Sequence, residues 1–250
     1  MSVSPATTRS LSGARVLLVG ASGGIGRPLA AALAGRGARL ALTRRERIGL
    51  ADLGVGEHTS LVFDLADTAA AQPLIVAAAE ALGGLDGVVC CAGAVAFGPL
   101  DEIPSGVLHE IVAVDLVGPL MLARAAIPVL PCGGFILNVS GVIAELPTAG
   151  LVSYSAAKAG ISAGFRALAR EVRPRGLSVI DARPPHTETG LAGRPIHGAP
   201  PKMREGLDPA VVAERLVLAV EQDERDVPAT EGSASRSSKS LETYKIPALR

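Results

Sequence analysis

Aromatic residues are scarce in this chain: they make up 2% of its 250 residues, with two tyrosines, four phenylalanines and no tryptophan. A core with so few large rings must be packed by Ala, Val, Leu and Ile, which suits helices stacked on buried parallel strands. Cysteine is nearly absent as well. Cys90, Cys91 and Cys132 form neither a disulfide framework nor a metal-spaced set, so free buried thiols in a reducing compartment are expected, with no metal site. Net charge is missing too, since 24 Lys+Arg balance 24 Asp+Glu. A nucleic-acid binder needs a basic excess, so no nucleic-acid partner is expected. No run of apolar residues reaches the roughly 18 that span a bilayer. Residues 1–10 are polar, lack a signal core and read as a flexible tail. These absences lead to the expectation of a cytoplasmic protein without a membrane partner.

Aliphatic residues are what the chain has in quantity. The apolar fraction of 48% supports one large core and excludes a disordered class. Short apolar runs at 16–19, 40–43, 61–63, 85–91, 135–139 and 177–182 read as strands. Helix-like stretches alternate with them: 28–34 stopping at Gly35, 67–82 with Asp67 as N-cap and Gly83–Gly84 as stop, 105–129, 153–172, and 208–220 opened by Asp208-Pro209. Repeated strand–helix order with near-continuous apolar strands predicts an α/β fold: a single Rossmann-type, doubly wound parallel sheet with helices on both faces. Ligands should then sit at the carboxyl ends of the strands. One domain is expected over 11–221. Residues 184–206 read as a mobile loop near the site, and the polar, Ser-rich 222–250 as a draped or mobile terminal segment.

Gly20-Ala21-Ser22-Gly23-Gly24-Ile25-Gly26 follows the first strand and opens a helix. Glycines there let the backbone approach a pyrophosphate, and the free N–H groups with the helix dipole favour its charge. A dinucleotide is therefore the expected ligand. The second strand ends Thr43-Arg44-Arg45, where NAD-binding chains usually carry an acidic residue for the ribose 2′-OH. Guanidinium suits a 2′-phosphate, so NADP(H) is expected. Asp64, followed by Leu65 just past the third strand, is placed to accept from the adenine amino group.

Tyr154 and Lys158 stand four residues apart on a predicted helix and share a face. A neighbouring ammonium favours a phenolate, drawing the tyrosine toward working pH as an acid/base. The order of motifs now resembles the short-chain dehydrogenase/reductase family over about 11–220. Gly20/Gly24/Gly26 match its G-x-x-x-G-x-G, Cys91-Ala92-Gly93 its N-A-G, Asn138-Val139-Ser140 its N-x-S, and Tyr154/Lys158 its Y-x-x-x-K. The resemblance implies that Tyr154 is the acid/base, that Lys158 also bonds the nicotinamide ribose, and that a serine hydroxyl polarises the substrate oxygen. Pro184-Pro185-His186-Thr187-Glu188-Thr189 is similar to the family's P-G-x-x-x-T, which would put the Thr187 backbone and the Thr189 hydroxyl near the carboxamide. A homodimer or homotetramer is implied likewise.

The pattern breaks in four places. Gly141 holds the position of the usual serine, and a bend at the strand end would have to turn Ser140 into the site. Asp115 replaces an asparagine that in the family helps to anchor a water leading to Lys158; a carboxylate there could hold that water or pair with Lys158, and pairing would stabilise the ammonium while opposing a tyrosinate. Cys90-Cys91 replaces paired asparagines, and Pro185 a glycine. Val95, Phe97, Leu146, Leu151, His186 and Leu191 lie on segments that should border a partly apolar pocket for a small carbonyl or alcohol substrate. His109 reads as an ordinary surface or packed residue. Two alternatives to a reductase stay open: a dinucleotide-binding regulatory or scaffold protein, and a cyclase, isomerase or dehydratase on the same fold.

Overall fold

The computed structural model describes residues 8–45 and 55–229. Seven strands, β1 (Arg15–Val19), β2 (Arg39–Arg44), β3 (Thr59–Val62), β4 (Gly87–Cys90), β5 (Phe135–Val139), β6 (Ser178–Ala182) and β7 (Asp226–Val227), form one sheet in the order β3-β2-β1-β4-β5-β6-β7. Every pairing is parallel. The helices are α1 (Gly26–Gly35), α2 (Ala71–Leu82), α3 (Ser105–Val112), α4 (Gly118–Ala126), α5 (Val152–Glu171) and α6 (Pro209–Glu221). Successive strand side chains point to opposite faces. Val16, Leu18 and Leu137 therefore pack with α1 and α6, while Leu17, Val88 and Ile136 pack with α2, α4 and α5. Burial on both faces is why the strands are apolar without alternation. The strand order reverses between β1 and β4, and the crevice at their carboxyl ends is where the glycine turn lies.

Two helix boundaries differ from the expectation. Asp208 caps α6, its Oδ1 accepting from the Ala210 N–H at 2.8 Å, as its sequence context predicts. Asp67 instead precedes a short 3-10 turn (Thr68–Ala70) that leads into α2, and its side chain makes no capping bond. The expected helix over 105–129 is divided: α3 and α4 are joined by a π-helical turn, Ala113–Val117. Residues Ser105–Ala126 are, at 22 residues, long and apolar enough by composition to cross a bilayer. Here they pack against α2 and α5 and bury Asp115 midway.

Both ends of the described stretch are tied to the sheet. Arg9 donates to Ser178 Oγ at 3.0 Å and to Asp223 Oδ1 at 3.1 Å, and lies 5.3 Å over the Phe135 ring. The tail expected over 1–10 is thus anchored at its last residues. The segment expected to drape over 222–250 begins by adding β7 to β6; residues 1–7, 46–54 and 230–250 lie outside the described set. Cys90 is buried and Cys91 half-buried, but Cys132 is exposed, against the expectation of buried thiols throughout.

At the opposite end of the sheet, Arg15 grips Asp86 through two side-chain bonds of 2.8 Å, and its backbone N–H adds a third. The Arg15 hydrogen bond holds the Asp86 carboxyl below its ordinary value despite partial burial. A depressed carboxyl stabilises the fold above the unfolded-state value, and that contribution is lost as pH falls through the folded-state value. Asp86→Asn should therefore lower the thermal midpoint at neutral pH. In circular-dichroism melts, the gap to wild type should close as pH drops below about 4.

Candidate active site

The glycine turn is shaped by close approaches. A Cβ on Gly26 would stand 2.0 Å from the Gly20 carbonyl oxygen, and one on Gly24 would stand 2.4 Å from Thr189 Cα. Gly20 has φ +90° and its Cβ position is 2.7 Å from the Ala92 nitrogen. The backbone of Ala92, in the Cys91-Ala92-Gly93 segment after β4, thus abuts the turn directly. Thr43 is buried; its Oγ1 accepts from the Gly20 N–H at 3.4 Å, and its carbonyl from Ala21 at 3.1 Å. Cys91 Sγ donates to the Val19 carbonyl at 3.3 Å. Thr43 and Cys91, expected as cofactor contacts, serve from behind as braces of the turn.

The open side of the turn fits a phosphorylated dinucleotide. Ser22 is exposed, Gly23 and Ile25 are half-buried, and α1 begins at Gly26. Arg44 closes β2 with its Nε buried and without a hydrogen-bond partner among the described residues. A buried donor left unpaired is costly, and an anion beside it would remove that cost. Arg45 is exposed. Asp64 is exposed as well, its Oδ1 accepting from the Ala66 N–H at 2.9 Å. The Leu65 side chain is a core residue packed over Gly118, so its backbone is what remains to meet a ligand.

Tyr154 and Lys158 share one face of α5, with Lys158 Nζ 5.8 Å from the tyrosine ring centre. Tyr154 is half-buried and Lys158 buried. Asp115, fully enclosed, stands 3.0 Å from Lys158 Nζ and accepts from the Ala94 N–H at 3.3 Å. Lys158 also donates to the Val139 carbonyl at 3.1 Å. Gly93 permits this arrangement, because a Cβ there would meet Asp115 Oδ1 at 2.8 Å and Lys158 Nζ at 3.3 Å. Burial works to lower Lys158, but Asp115 and Tyr154 outweigh it and hold the ammonium well above its ordinary value. Burial raises the Tyr154 phenol; Lys158 opposes that rise and Asp115 adds to it.

Ser140 does not turn into the site. Its backbone N–H continues the β5–β6 ladder to Ala182, and its hydroxyl donates to Asp181 Oδ1 at 2.7 Å. Ser162, one turn beyond Lys158 on α5, donates to the other Asp181 oxygen at 2.6 Å, and Arg183 bonds the same carboxylate at 2.7 Å. Arg183 also pairs with Glu145 before α5 and with Asp226 of β7. The correction has a simple cause: a buried Asp181 must collect donors, and Ser140 is one of them. Gly141, at φ +83°, has nothing within 4 Å of a Cβ position and offers no hydroxyl. Sequence reading passed over Asp181, Arg183, Glu145 and Ser162. The signal is Asp181-x-Arg183, two charged residues at and just past the end of a mostly apolar strand.

The loop after β6 packs across the mouth. Pro184 accepts from Val142, Thr187 Oγ1 donates to the Pro185 carbonyl at 2.8 Å, and Thr189 Oγ1 accepts from Leu191 at 3.2 Å. Residues 196 and 197 bond back to Val95 and Phe97, which are buried. Leu151 and Leu191 are half-buried, whereas Leu146 is 64% exposed and no wall of an enclosed pocket. His186 Nε2 lies 3.3 Å from Glu188, and both line an open cavity of about 550 Å³ with Met203, Arg204 and Glu205.

Comparison with known proteins agrees with this geometry. The short chain dehydrogenase family model matches residues 14–197, and the chain belongs to that oxidoreductase family. It is 32% identical over 236 residues to a glycine betaine reductase of Emericella nidulans, covering 89% of this chain but only 19% of that much longer protein. It is 32% identical to a glucose 1-dehydrogenase of Gluconobacter oxydans, covering 69% and 68% of the two chains. A 3-oxoacyl-[acyl-carrier-protein] reductase of Vibrio cholerae is 29% identical, over 73% and 77%. Among solved structures, a short chain dehydrogenase from Burkholderia cenocepacia in complex with NADP superposes with a TM-score of 0.77 at 28% identity, covering 88% of this chain and 98% of that one.

Replacing Ser140 tests its structural assignment. Ser140→Ala should cost about 1–3 kcal/mol in denaturant unfolding, because it strips a donor from a buried carboxylate. A residue that held substrate would instead lose activity with stability unchanged.

Proposed function

We propose that the chain is an NADP(H)-dependent carbonyl reductase or alcohol dehydrogenase with Tyr154 as its acid/base. The observation that carries this reading is the Tyr154 phenol beside a buried, permanently charged Lys158, on a helix next to the dinucleotide-type glycine turn. A nicotinamide dinucleotide, when bound, supplies or accepts hydride. Tyr154 gives its proton to the carbonyl oxygen during reduction and recovers one during alcohol oxidation. Lys158 stabilises negative charge on the phenol oxygen, and its remaining N–H is available to a ribose hydroxyl. With glycine at 141, hydrogen bonding to the substrate oxygen falls to Tyr154 more heavily than in the usual pattern.

The Arg44 Nε, buried and without a partner among the described residues, supports NADP(H) over NAD(H), as does the NADP named for the Burkholderia structure. Buried Val95 and Phe97 favour a partly apolar substrate. Relatives named for glucose, a 3-oxoacyl-[acyl-carrier-protein] and glycine betaine differ widely in substrate, so the substrate class stays broad. Self-association through α4 and α5 belongs to the same reading; Leu120 and Val152 are exposed there. The open position at Gly141 favours the rival reading, a dinucleotide-binding regulatory protein.

One assay separates the two. Purified protein with NADPH and a panel of ketones, aldehydes and quinones should oxidise the cofactor, and Tyr154→Phe should lower turnover about 100-fold or more while NADPH binding persists. Tight binding without turnover on any substrate would favour the regulatory protein. In titration calorimetry, Arg44→Asp should weaken NADPH by about 10- to 100-fold, the loss of charge-assisted bonds to a phosphate, and leave NADH nearly unchanged. Equal losses for both cofactors would remove Arg44 from that role.

A further inference from the structure

We propose that Asp115 is a positioning residue that, through Lys158, keeps Tyr154 in its neutral, proton-donating form, so that the site is set for carbonyl reduction and oxidises alcohols only in alkaline solution. This rests on the function proposed above. The geometry begins with the π-helical turn Ala113–Val117, which carries Asp115 between α3 and α4 and directs its carboxylate into the interior. There it stands 3.0 Å from Lys158 Nζ, closer than Lys158 stands to the Tyr154 ring centre at 5.8 Å. An isolated buried ammonium would present a full charge to the phenol. Paired with a carboxylate, it presents a dipole, whose influence falls off more steeply with distance. Two of the ammonium's N–H groups are directed to Asp115 and Val139, which leaves one for the phenol or a ribose.

Other ionisable groups near the pair do not restore the missing charge. Cys90, at the end of β4, is a buried thiol whose ionisation burial pushes up to about 11. Asp181 of β6 is held by Ser140, Ser162 and Arg183, and Glu145 before α5 pairs with Arg183. His109 and Glu110 of α3 and Arg124 of α4 are exposed. Asp115 is therefore the charge that weakens the pull of Lys158 on the Tyr154 proton, adding to burial, which is the larger influence on the phenol. In the reductive step, the Tyr154 O–H bond breaks as the product O–H forms, the hydride that reduces the carbon would be supplied by a bound dinucleotide, and the tyrosinate regains a proton taken up from solvent. Oxidation needs the tyrosinate first; burial of the phenol makes it scarce, and Asp115 adds to that.

Two tyrosines in the whole chain, Tyr154 and Tyr244, make a direct test practical. With isotope-labelled tyrosine rings, NMR titration should give two phenol carbons, and Tyr154→Phe assigns them. Tyr154 should ionise above the free-tyrosine value of about 10 in wild type. In Asp115→Asn it should fall by about one pH unit or more, the effect of removing a nearby like charge. The acid limb of alcohol oxidation should move down by a similar amount. Wild-type Tyr154 ionising below free tyrosine would overturn the proposal without any variant. So would an Asp115→Asn protein that is slower at every pH with both limbs unmoved. The NMR titration reads the phenol whether or not a substrate is turned over, so absence of turnover would count against the function above and leave this test intact.

Discussion

Lys158 carries a positive charge at a depth where water cannot solvate it, and that charge must be answered by the protein. Asp115 and the Val139 carbonyl answer it, and much of the local architecture follows. The break between α3 and α4 becomes a π turn that delivers a carboxylate. Gly93 has no side chain because the ion pair occupies that space. The end of β5 keeps its last carbonyl turned toward α5. Removing one partner from such a pair leaves an uncompensated buried charge, typically at a cost of about 3–5 kcal/mol. The geometry around the acid/base is thus coupled to the folding of the helices that surround it.

A second buried charge cluster lies a turn further along α5. Asp181 gathers Ser140, Ser162 and Arg183, and Arg183 reaches on to Glu145 and Asp226. It ties together β6, the loop entering α5 and the final strand. The serine that the family resemblance would assign to substrate has been drawn into this scaffold. The two networks divide the labour: one holds the charge beside Tyr154, the other holds the elements that frame it.

The parallel sheet was legible because strands buried on both faces must be apolar throughout, and the helices that alternate with them must be amphipathic. The glycine turn was legible because Gly20, Gly24 and Gly26 stand where any Cβ would collide with backbone. Thr43 was read as a ligand contact, yet its hydroxyl is bonded behind the turn. Residue type at a strand end does not reveal which way the chain turns. The side chain of Leu65 likewise enters the core, because a position just past a strand faces outward or inward by a rotation the local sequence does not specify.

By itself, the sequence determined the order of strands and helices, the shared face of Tyr154 and Lys158, and the phosphate-type turn, since these depend on spacing within one element. Tertiary structure alone decided the fate of Ser140, the pairing of Asp115 with Lys158 at 3.0 Å, and the Asp181–Arg183 cluster. Most of these contacts join residues 19 to 43 positions apart, through the register of neighbouring elements. Of these, only burial decides the partner: a charge removed from water takes whichever donor or acceptor the packing brings within reach.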